Sequence, residues 1–519
     1  MTIKDAILQI QLRADKWDDN SIVKSFVTVG PLIPLLDSEN NQIIFGRRGT
    51  GKTHVLRYFK SIKDGQSDCC IFVDLRKIGS SNSIYADQSL PIEQRALRFF
   101  IDIIKVLSDE IISYITMSDE HKEAYLTEIT PLLEQLNQTW TKSAIMGEVV
   151  SESATVDKSS REFNSGISIS PSDCSLNFST KDIAAVDQST TLKLSGRYYA
   201  YINLLEATSI LQKVADILTP HKIWLIFDEF SELSPDLQIV LADILRRVIC
   251  PVRGITFKIG AIEHRSYFRR ATTGSNYLGM ELGADVSTIN LDELMVFGNN
   301  HASSLSFFRD LLFQRVNTIL PQENRIASSD DLVKSLFTQE SCFEELVLAA
   351  EGVPRDFFNV IHKAIMLDYY NRISIPIIRK AARNWFDEDK RGSISAIPNT
   401  SGLLDWIISD VINTRQARAF MLTSNENDNL INYLYDARIL HIIKQNVSSK
   451  DTPGVRYNVY SIDYGCYVDL INTARAPKGL FEDEIEDDQT EFINVPRDDY
   501  RSIRRAILDL SKFYSSISS

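Results

Sequence analysis

The chain has 519 residues, 44% of them hydrophobic, and a formal net charge of −13. That length is more than one hydrophobic core serves, so two or three domains are expected. The negative balance excludes a whole-surface attraction to nucleic acid and leaves that role to local basic patches.

No apolar run reaches the roughly 18 residues needed to span a bilayer, so no membrane partner is expected. Residues 1–12 carry Lys4 and Asp5 but lack the long apolar stretch and cleavage site of a secretory signal. The six cysteines, at 69, 70, 174, 250, 342 and 466, form no CxxC pair. Neither a zinc site nor a disulfide framework is therefore expected, and a reducing, cytoplasmic location is.

Residues 1–42 read as a helix and a loop feeding a first strand over Gln42–Phe45. A helix opens at Gly51, and Cys69–Leu75 is a second apolar run suited to a strand buried on both faces. Two apolar stripes at helical spacing follow, Leu97 to Ile111 and Tyr125 to Leu136. Residues 141–195 turn rich in Ser, Thr and Asp, with Ile167 and Ile169 alternating before Pro171–Cys174, and Leu176 and Phe178 after it. That pattern is expected to form a protruding hairpin at 165–180. A helix over about Tyr198–Leu218 closes this insertion. Strands are then expected at Ile223–Phe227, Ile255–Ala261 and Val286–Ile289, and strands alternating with helices imply a parallel α/β sheet. Residues from about Leu291 to Asp389 are mainly helical. Residues 401–472 read as three short helices and then two strands. Six of the eight residues in Phe481–Asp488 are acidic, and a basic amphipathic helix is expected over Tyr500–Tyr514.

Gly46-Arg47-Arg48-Gly49-Thr50-Gly51-Lys52-Thr53 satisfies GxxxxGK[ST]. It stands where that loop must, after an apolar strand and before a helix. Glycines let the backbone wrap phosphates and aim N–H groups at them. Lys52 adds a cation for the β- and γ-phosphates, Thr53 a hydroxyl for Mg²⁺, and the helix its positive end. The expected contact set is Gly46, Arg48, Gly49, Thr50, Gly51, Lys52, Thr53 and His54, with ATP and Mg²⁺ as cofactors. Ile223–Phe227 then delivers Asp228 and Glu229 to the C-terminal edge of the sheet, where ligands gather. Asp228 is the expected Mg²⁺ residue and Glu229 the expected polariser of the attacking water, so ATPase activity is expected.

These residues resemble the AAA+ ATPases, and within them the origin-recognition and replication-initiator clade. Lys258-Ile-Gly-Ala-Ile-Glu-His264 is similar to the sensor 1 strand, and Glu351-Gly-Val-Pro-Arg-Asp-Phe357 to the sensor 2 motif opening a lid helix. A winged-helix-like segment follows, as in those initiators. The resemblance implies an α/β nucleotide-binding domain over 1–290 with a long insertion at about 80–218. It also implies a helical lid over 291–392 and a winged-helix-like domain over 400–475; residues 476–519 then form an acidic tether and terminal helix. It implies that Arg355 reaches the γ-phosphate, and that Arg269 or Arg270 crosses to a neighbour's ATP, which makes a homo-oligomer the active unit. Sensor 1 falls on Glu263 or His264. The family usually places a neutral polar residue at Glu263, so slow turnover is expected.

The expected recognition helix, Asn425–Leu440, carries Glu426, Asp428 and Asp436 against Arg438 alone. Residues 401–474 hold eight acidic and six basic side chains, a poor balance for phosphate contacts. Better basic candidates are Arg246, Arg247, Arg253 and Lys258, the lid group Lys363, Arg372, Arg379, Lys380, Arg383, Lys390 and Arg391, and the terminal Arg501, Arg504 and Arg505. Three functions are therefore carried forward. The first is an ATP-driven switch acting on DNA or a DNA–protein complex. The second is a prokaryotic defence or signalling ATPase controlling a protein effector. The third is an ATP-gated scaffold with little turnover.

Overall fold

The computed structural model describes residues 1–78, 91–117, 122–139, 143–149, 194–200, 203–272, 277–295, 301–415, 417–426, 428–448, 454–470 and 507–518. Its strands in chain order begin with β1 (Gln42–Phe45) and β2 (Cys69–Asp74). Next come β3 (Ser143–Val149), β4 (Leu194–Ala200), β5 (Ile223–Asp228) and β6 (Ile255–Ala261). The series continues with β7 (Arg269–Ala271), β8 (Tyr277–Gly279), β9 (Ser287–Asn290), β10 (Ala419–Thr423), β11 (Leu440–Ser448) and β12 (Arg456–Ile462).

Five of them make an all-parallel sheet in the order β2-β5-β6-β1-β9. Both faces of β1, β2, β5 and β6 are covered, which is why these strands read as apolar runs, whereas the edge strand β9 is half exposed. Ile43, Phe227 and Ile259 share a core with Phe100, Ile104, Leu133 and Leu211 from the insertion helices. Ile44, Trp224 and Ile226 face Leu56 and Phe59 on the other side. Each such fully buried side chain contributes on the order of 2–3 kcal/mol. The order places β6 between β1 and β5. The phosphate loop after β1 and the carboxylates after β5 therefore face each other across the end of β6. Gly260 makes that possible, since a Cβ there would lie 2.7 Å from the Asp228 carboxylate oxygen.

A second large core joins three segments that are far apart in sequence. Ala6, Ile7, Ile10, Trp17 and Ile22 from the N-terminal segment pack with lid residues such as Phe308, Phe343, Phe357 and Ile361. The same core continues into Leu404, Ile407, Phe420, Leu434 and Ile462 of the C-terminal region. The N-terminal segment thus packs with the lid although it precedes the α/β sheet in the chain.

Several expectations change. The N-terminal region forms short helices at Ile3–Leu8, Asp19–Ser25 and Leu32–Leu36, not one helix. The helix after the insertion starts at Leu204, capped by Asn203; Tyr198–Ala200 belong to β4, paired antiparallel with β3. In the C-terminal region, Ala419–Thr423 is a strand, and β10-β12-β11 form a three-stranded sheet around one helix, Asn429–Asp436. That helix is shorter than the expected 425–440. The last helix runs over Leu510–Ser518, beginning later than expected. The hairpin expected at 165–180, the acidic run at 482–488, and Arg501, Arg504 and Arg505 lie outside the described residues. No helix among the described residues is long and apolar enough to cross a membrane.

Candidate nucleotide-binding site

The loop between β1 and the helix Lys52–Gly65 turns at Gly49 and Gly51, whose φ angles are +94° and +100°. A side chain at Gly49 would meet strain twice. The φ lies in the left-handed region, and a Cβ would sit 2.6 Å from the Cβ of Arg355. Beneath the loop, Lys52 Nζ donates to the carbonyl oxygens of Gly46 (2.6 Å) and Arg47 (3.1 Å). The Thr50 hydroxyl donates to the Arg47 carbonyl at 2.9 Å. Burial lowers the Lys52 pKa, and Asp228 and Glu229 act against that shift.

Thr53 and Asp228 meet directly. The Thr53 hydroxyl donates to Asp228 Oδ2 at 2.7 Å, so two hard oxygens of the kind that hold Mg²⁺ stand side by side. Burial pushes the Asp228 carboxyl up to about 6, against the Thr53 hydrogen bond and with help from Glu229. A nearby divalent cation would offset that cost. Glu229 adopts φ +60°, a conformation that costs a non-glycine residue about 1–3 kcal/mol. Its N–H donates to Asp228 Oδ1 at 2.9 Å.

Lys52, Thr53 and Glu229 open onto one cavity of about 340 Å³, lined by Arg48, Gly49, Gly51, Lys52, Thr53 and His54 from the loop and its helix, while Asp228 lines a neighbouring cavity that also reaches Thr53. Glu229 and Glu232 line it from beyond β5, and Pro354, Arg355 and Phe358 from the lid. Leu12, Arg13 and Ala14 complete it from the N-terminal segment. Arg355 is brought in by the loop itself, for its N–H donates to the Gly49 carbonyl at 3.2 Å. Its pKa is lowered by burial and by Arg438. His54 donates from Nε2 to the Ile22 carbonyl at 3.1 Å and accepts at Nδ1 from Arg315 at 3.0 Å. Burial and Arg315 lower its pKa to about 4, so it is neutral at physiological pH. Phosphate donors, a cation pair, two carboxylates and several apolar side chains thus surround a space suited to a nucleoside triphosphate.

Glu263 and His264 do not line this cavity. Glu263 Oε2 accepts from Asn290 at 3.3 Å, and burial with Asp292 and Glu293 raises its pKa to about 7. His264 packs edge-on against Tyr435 at 5.3 Å. Arg269 and Arg270 lie on the exposed strand β7, Arg269 against Glu281 (2.7 Å) and Arg270 against Asp236 (3.6 Å).

Most of the expected basic patches are neutralised. Lys258 is fully buried and donates to the carbonyls of Ser38 and Asn40. Arg246 and Arg247 pair with Asp243, Arg379 with Glu345 and Arg383 with Asp387. Lys390 is buried between Asp356 and Asp463. Nor is Arg438 available on the surface: it donates to the Arg48 carbonyl at 3.0 Å and to Asp389 at 2.7 Å.

Five arginines without such a role in the sequence reading organise the site. Arg47, at an unconstrained position of the loop motif, is buried. It donates to Asp292 (2.8 Å), to the Leu440 carbonyl (3.1 Å) and to His441 (3.0 Å). Arg438 returns the contact to the loop backbone. The turn Glu263–Arg265 completes the docking, with Arg265 on Asp436 at 3.0 Å. The C-terminal region is therefore seated on the phosphate loop itself. Arg76 clamps Asp74 at 2.8 Å and approaches Glu229 at 3.6 Å. One clue to Arg76 was available, its place two residues beyond a buried parallel strand, where ligands gather. Arg315 carried no signal, because its place depends on how the lid folds back.

No curated protein matches this chain. A solved structure of the Aeropyrum pernix Orc1 protein in complex with DNA is similar at 12% identity and a TM-score of 0.30. The match covers 89% of this chain and 93% of that one. A family model described as ORC-CDC6-like matches residues 11–61, a stretch that runs from the cavity-lining Leu12 through the phosphate loop and most of its helix. The chain is thus similar to the ORC-CDC6-like family over residues 11–61, and the five-stranded parallel sheet with helices around that stretch is an α/β fold carrying a phosphate loop.

Proposed function

We propose that the chain binds ATP with Mg²⁺ in this cavity, hydrolyses it, and uses the cycle to switch its interaction with DNA or a DNA–protein complex. The observation that carries the reading is the convergence of Lys52, Thr53, Glu229 and Arg355 around one space, with Asp228 hydrogen-bonded to Thr53 behind it. Lys52, Gly49 and Gly51 serve the phosphates; Thr53 and Asp228 are the residues that would hold Mg²⁺. A bound Mg²⁺ supplies positive charge against the phosphate oxygens. Glu229 takes the role of base toward the attacking water, with its carboxylate steered by Arg76. Arg355, fixed to the Gly49 carbonyl, couples the lid to the phosphates. Its planar, permanently charged group suits two phosphate oxygens.

The DNA half rests on the ORC-CDC6-like match and on the helix-and-sheet form of the C-terminal region. Its helix Asn429–Asp436 faces the Glu263–Arg265 turn, so engagement of DNA through that helix requires the region to leave the loop. Arg47 and Arg438 are the residues that make this departure depend on the loop's state. Arg269 and Arg270, exposed on β7, are the residues for a neighbour's site in a homo-oligomer. The test is double-stranded DNA binding by anisotropy at stated salt, with ATP, ADP and no nucleotide. Nucleotide-dependent affinity is expected, and equal affinity in all three states would remove the DNA half.

A second reading, a defence or signalling ATPase that engages a protein effector, is favoured by the pairing of the basic side chains and the acidic balance of residues 401–474. Stable co-purification with one protein and no DNA footprint would select it. For the third reading, a low-turnover scaffold, Glu263 was the motive; it accepts from Asn290 and does not line the cavity, which supports the hydrolysing reading over it.

A further inference from the structure

The cavity lining is not all polar. Leu12, Ala14, Pro354 and Phe358 give the cavity apolar walls. Arg315, from the lid helix His301–Ile319, enters these walls with its guanidinium 4.8 Å from the Trp17 ring and 5.1 Å from the Phe358 ring. It donates to His54 Nδ1 at 3.0 Å and, at 3.4 Å, to the Gln11 carbonyl. Its Nε is sealed from solvent and meets no acceptor among the described residues. No carboxylate among those residues forms an ion pair with Arg315. Burial lowers its pKa to about 10, so it stays charged at neutral pH.

A buried donor without an acceptor is costly, and apolar walls beside it favour a ligand that brings both a ring face and an acceptor. A phosphate group brings the acceptor without the ring face, and the loop already serves the phosphates. Purine bases bring both, through ring nitrogens that accept hydrogen bonds and faces that stack on arginine and aromatic side chains. We propose that Arg315 is the base-reading residue of the nucleotide site, donating to a purine ring acceptor and thereby closing the lid only over a complete nucleotide. This rests on the nucleotide reading of the cavity and assigns its specificity to a lid residue outside the loop and the GVPR motif. His54 is the positioning residue: its neutral Nδ1 accepts from Arg315 and holds the fork in place.

The experiment compares ATP and inorganic tripolyphosphate binding by calorimetry, both with Mg²⁺, for the full chain and for Arg315→Met and Arg315→Lys. Tripolyphosphate keeps the phosphate contacts and lacks the base. In both variants ATP affinity is expected to fall about tenfold, one well-placed hydrogen bond to a charged donor, with tripolyphosphate affinity unchanged. Lysine keeps the charge and the stem without the Nε donor, so Arg315→Lys carries the test if the methionine variant fails to fold. Equal losses for both ligands, or no loss for ATP, would overturn the inference. Failure of the unaltered chain to bind ATP would instead overturn the nucleotide reading on which it rests.

Discussion

Replacing Arg47 with methionine should loosen the C-terminal region from the phosphate loop. The stem is retained, so the change removes the guanidinium with its contacts to Asp292, Leu440 and His441 and its place 4.8 Å from the Tyr435 ring. Breaking a buried pair by removing one partner costs about 3–5 kcal/mol. Asp292 keeps the backbone N–H of residue 47 at 2.8 Å, which places the loss near the lower end, about 3 kcal/mol. Over a cooperative unit of roughly 150–250 residues, that lowers the Tm by about 6–12 °C. Arg438→Met removes the reciprocal contact to Arg48. Because both arginines hold one interface, the double variant should lose less than the sum of the two. Differential scanning calorimetry gives the shift, and limited proteolysis within the C-terminal region gives the undocking. A Tm change of Arg47→Met within the roughly 1 °C of a surface substitution, with proteolysis unaltered, would refute the claim that Arg47 ties the two regions together.

Glu263 has a raised pKa of about 7 in the fold, so the folded state favours its protonated form. Its destabilising effect is absent below about pH 4.5 and grows as pH rises toward 7. Glu263→Gln should therefore gain about 1–3 kcal/mol at pH 8 and nothing at pH 4, measured by urea melts at both values. His54 has the opposite dependence. Its depressed pKa of about 4 means that stability present above pH 6.5 is lost as pH falls toward 4, and His54→Gln should blunt that loss in acid melts. Gly49→Ala meets a positive φ and a Cβ contact of 2.6 Å with Arg355. ATP affinity should drop at least tenfold in equilibrium binding, and an unchanged affinity would mean that the loop and Arg355 adapt freely.

The parts legible in the sequence were those fixed by local chemistry. β1, β2, β5 and β6 each announced themselves as apolar runs because the sheet is buried on both faces there; β9, at the edge, is half exposed and showed only Val286 and Ile289. The phosphate loop was legible because phosphate binding constrains residue type at fixed spacing. Sheet order was not legible, since nothing local tells β5 to pair with β6 and not with β1. β10 was not among the two strands expected in 401–472: AFMLT has no alternation, because Phe420 and Leu422 face the main core and Ala419 and Met421 a smaller one. The tail of the insertion helix failed for a related reason: SGRYYA pairs with a strand about 50 residues earlier. Basic residues misled most. Lys258, Lys390 and Arg438 look like surface cations in sequence, yet each is surrounded in the fold by carbonyls or carboxylates from distant segments. Arg47, Arg76 and Arg315 acquire their roles only when the C-terminal region, β2 and the lid converge on the loop.

The central claim is that one cavity binds ATP through the loop and hydrolyses it through Glu229. Single-turnover hydrolysis with parallel equilibrium binding, comparing the unaltered chain with Lys52→Ala and Glu229→Gln, separates the two functions. Glu229→Gln should bind ATP with near-unaltered affinity and lose hydrolysis by about 10²–10⁴-fold, the scale of a lost general base, while Lys52→Ala should lose binding. Hydrolysis by Glu229→Gln at the unaltered rate, or undiminished ATP binding by Lys52→Ala, would contradict the account.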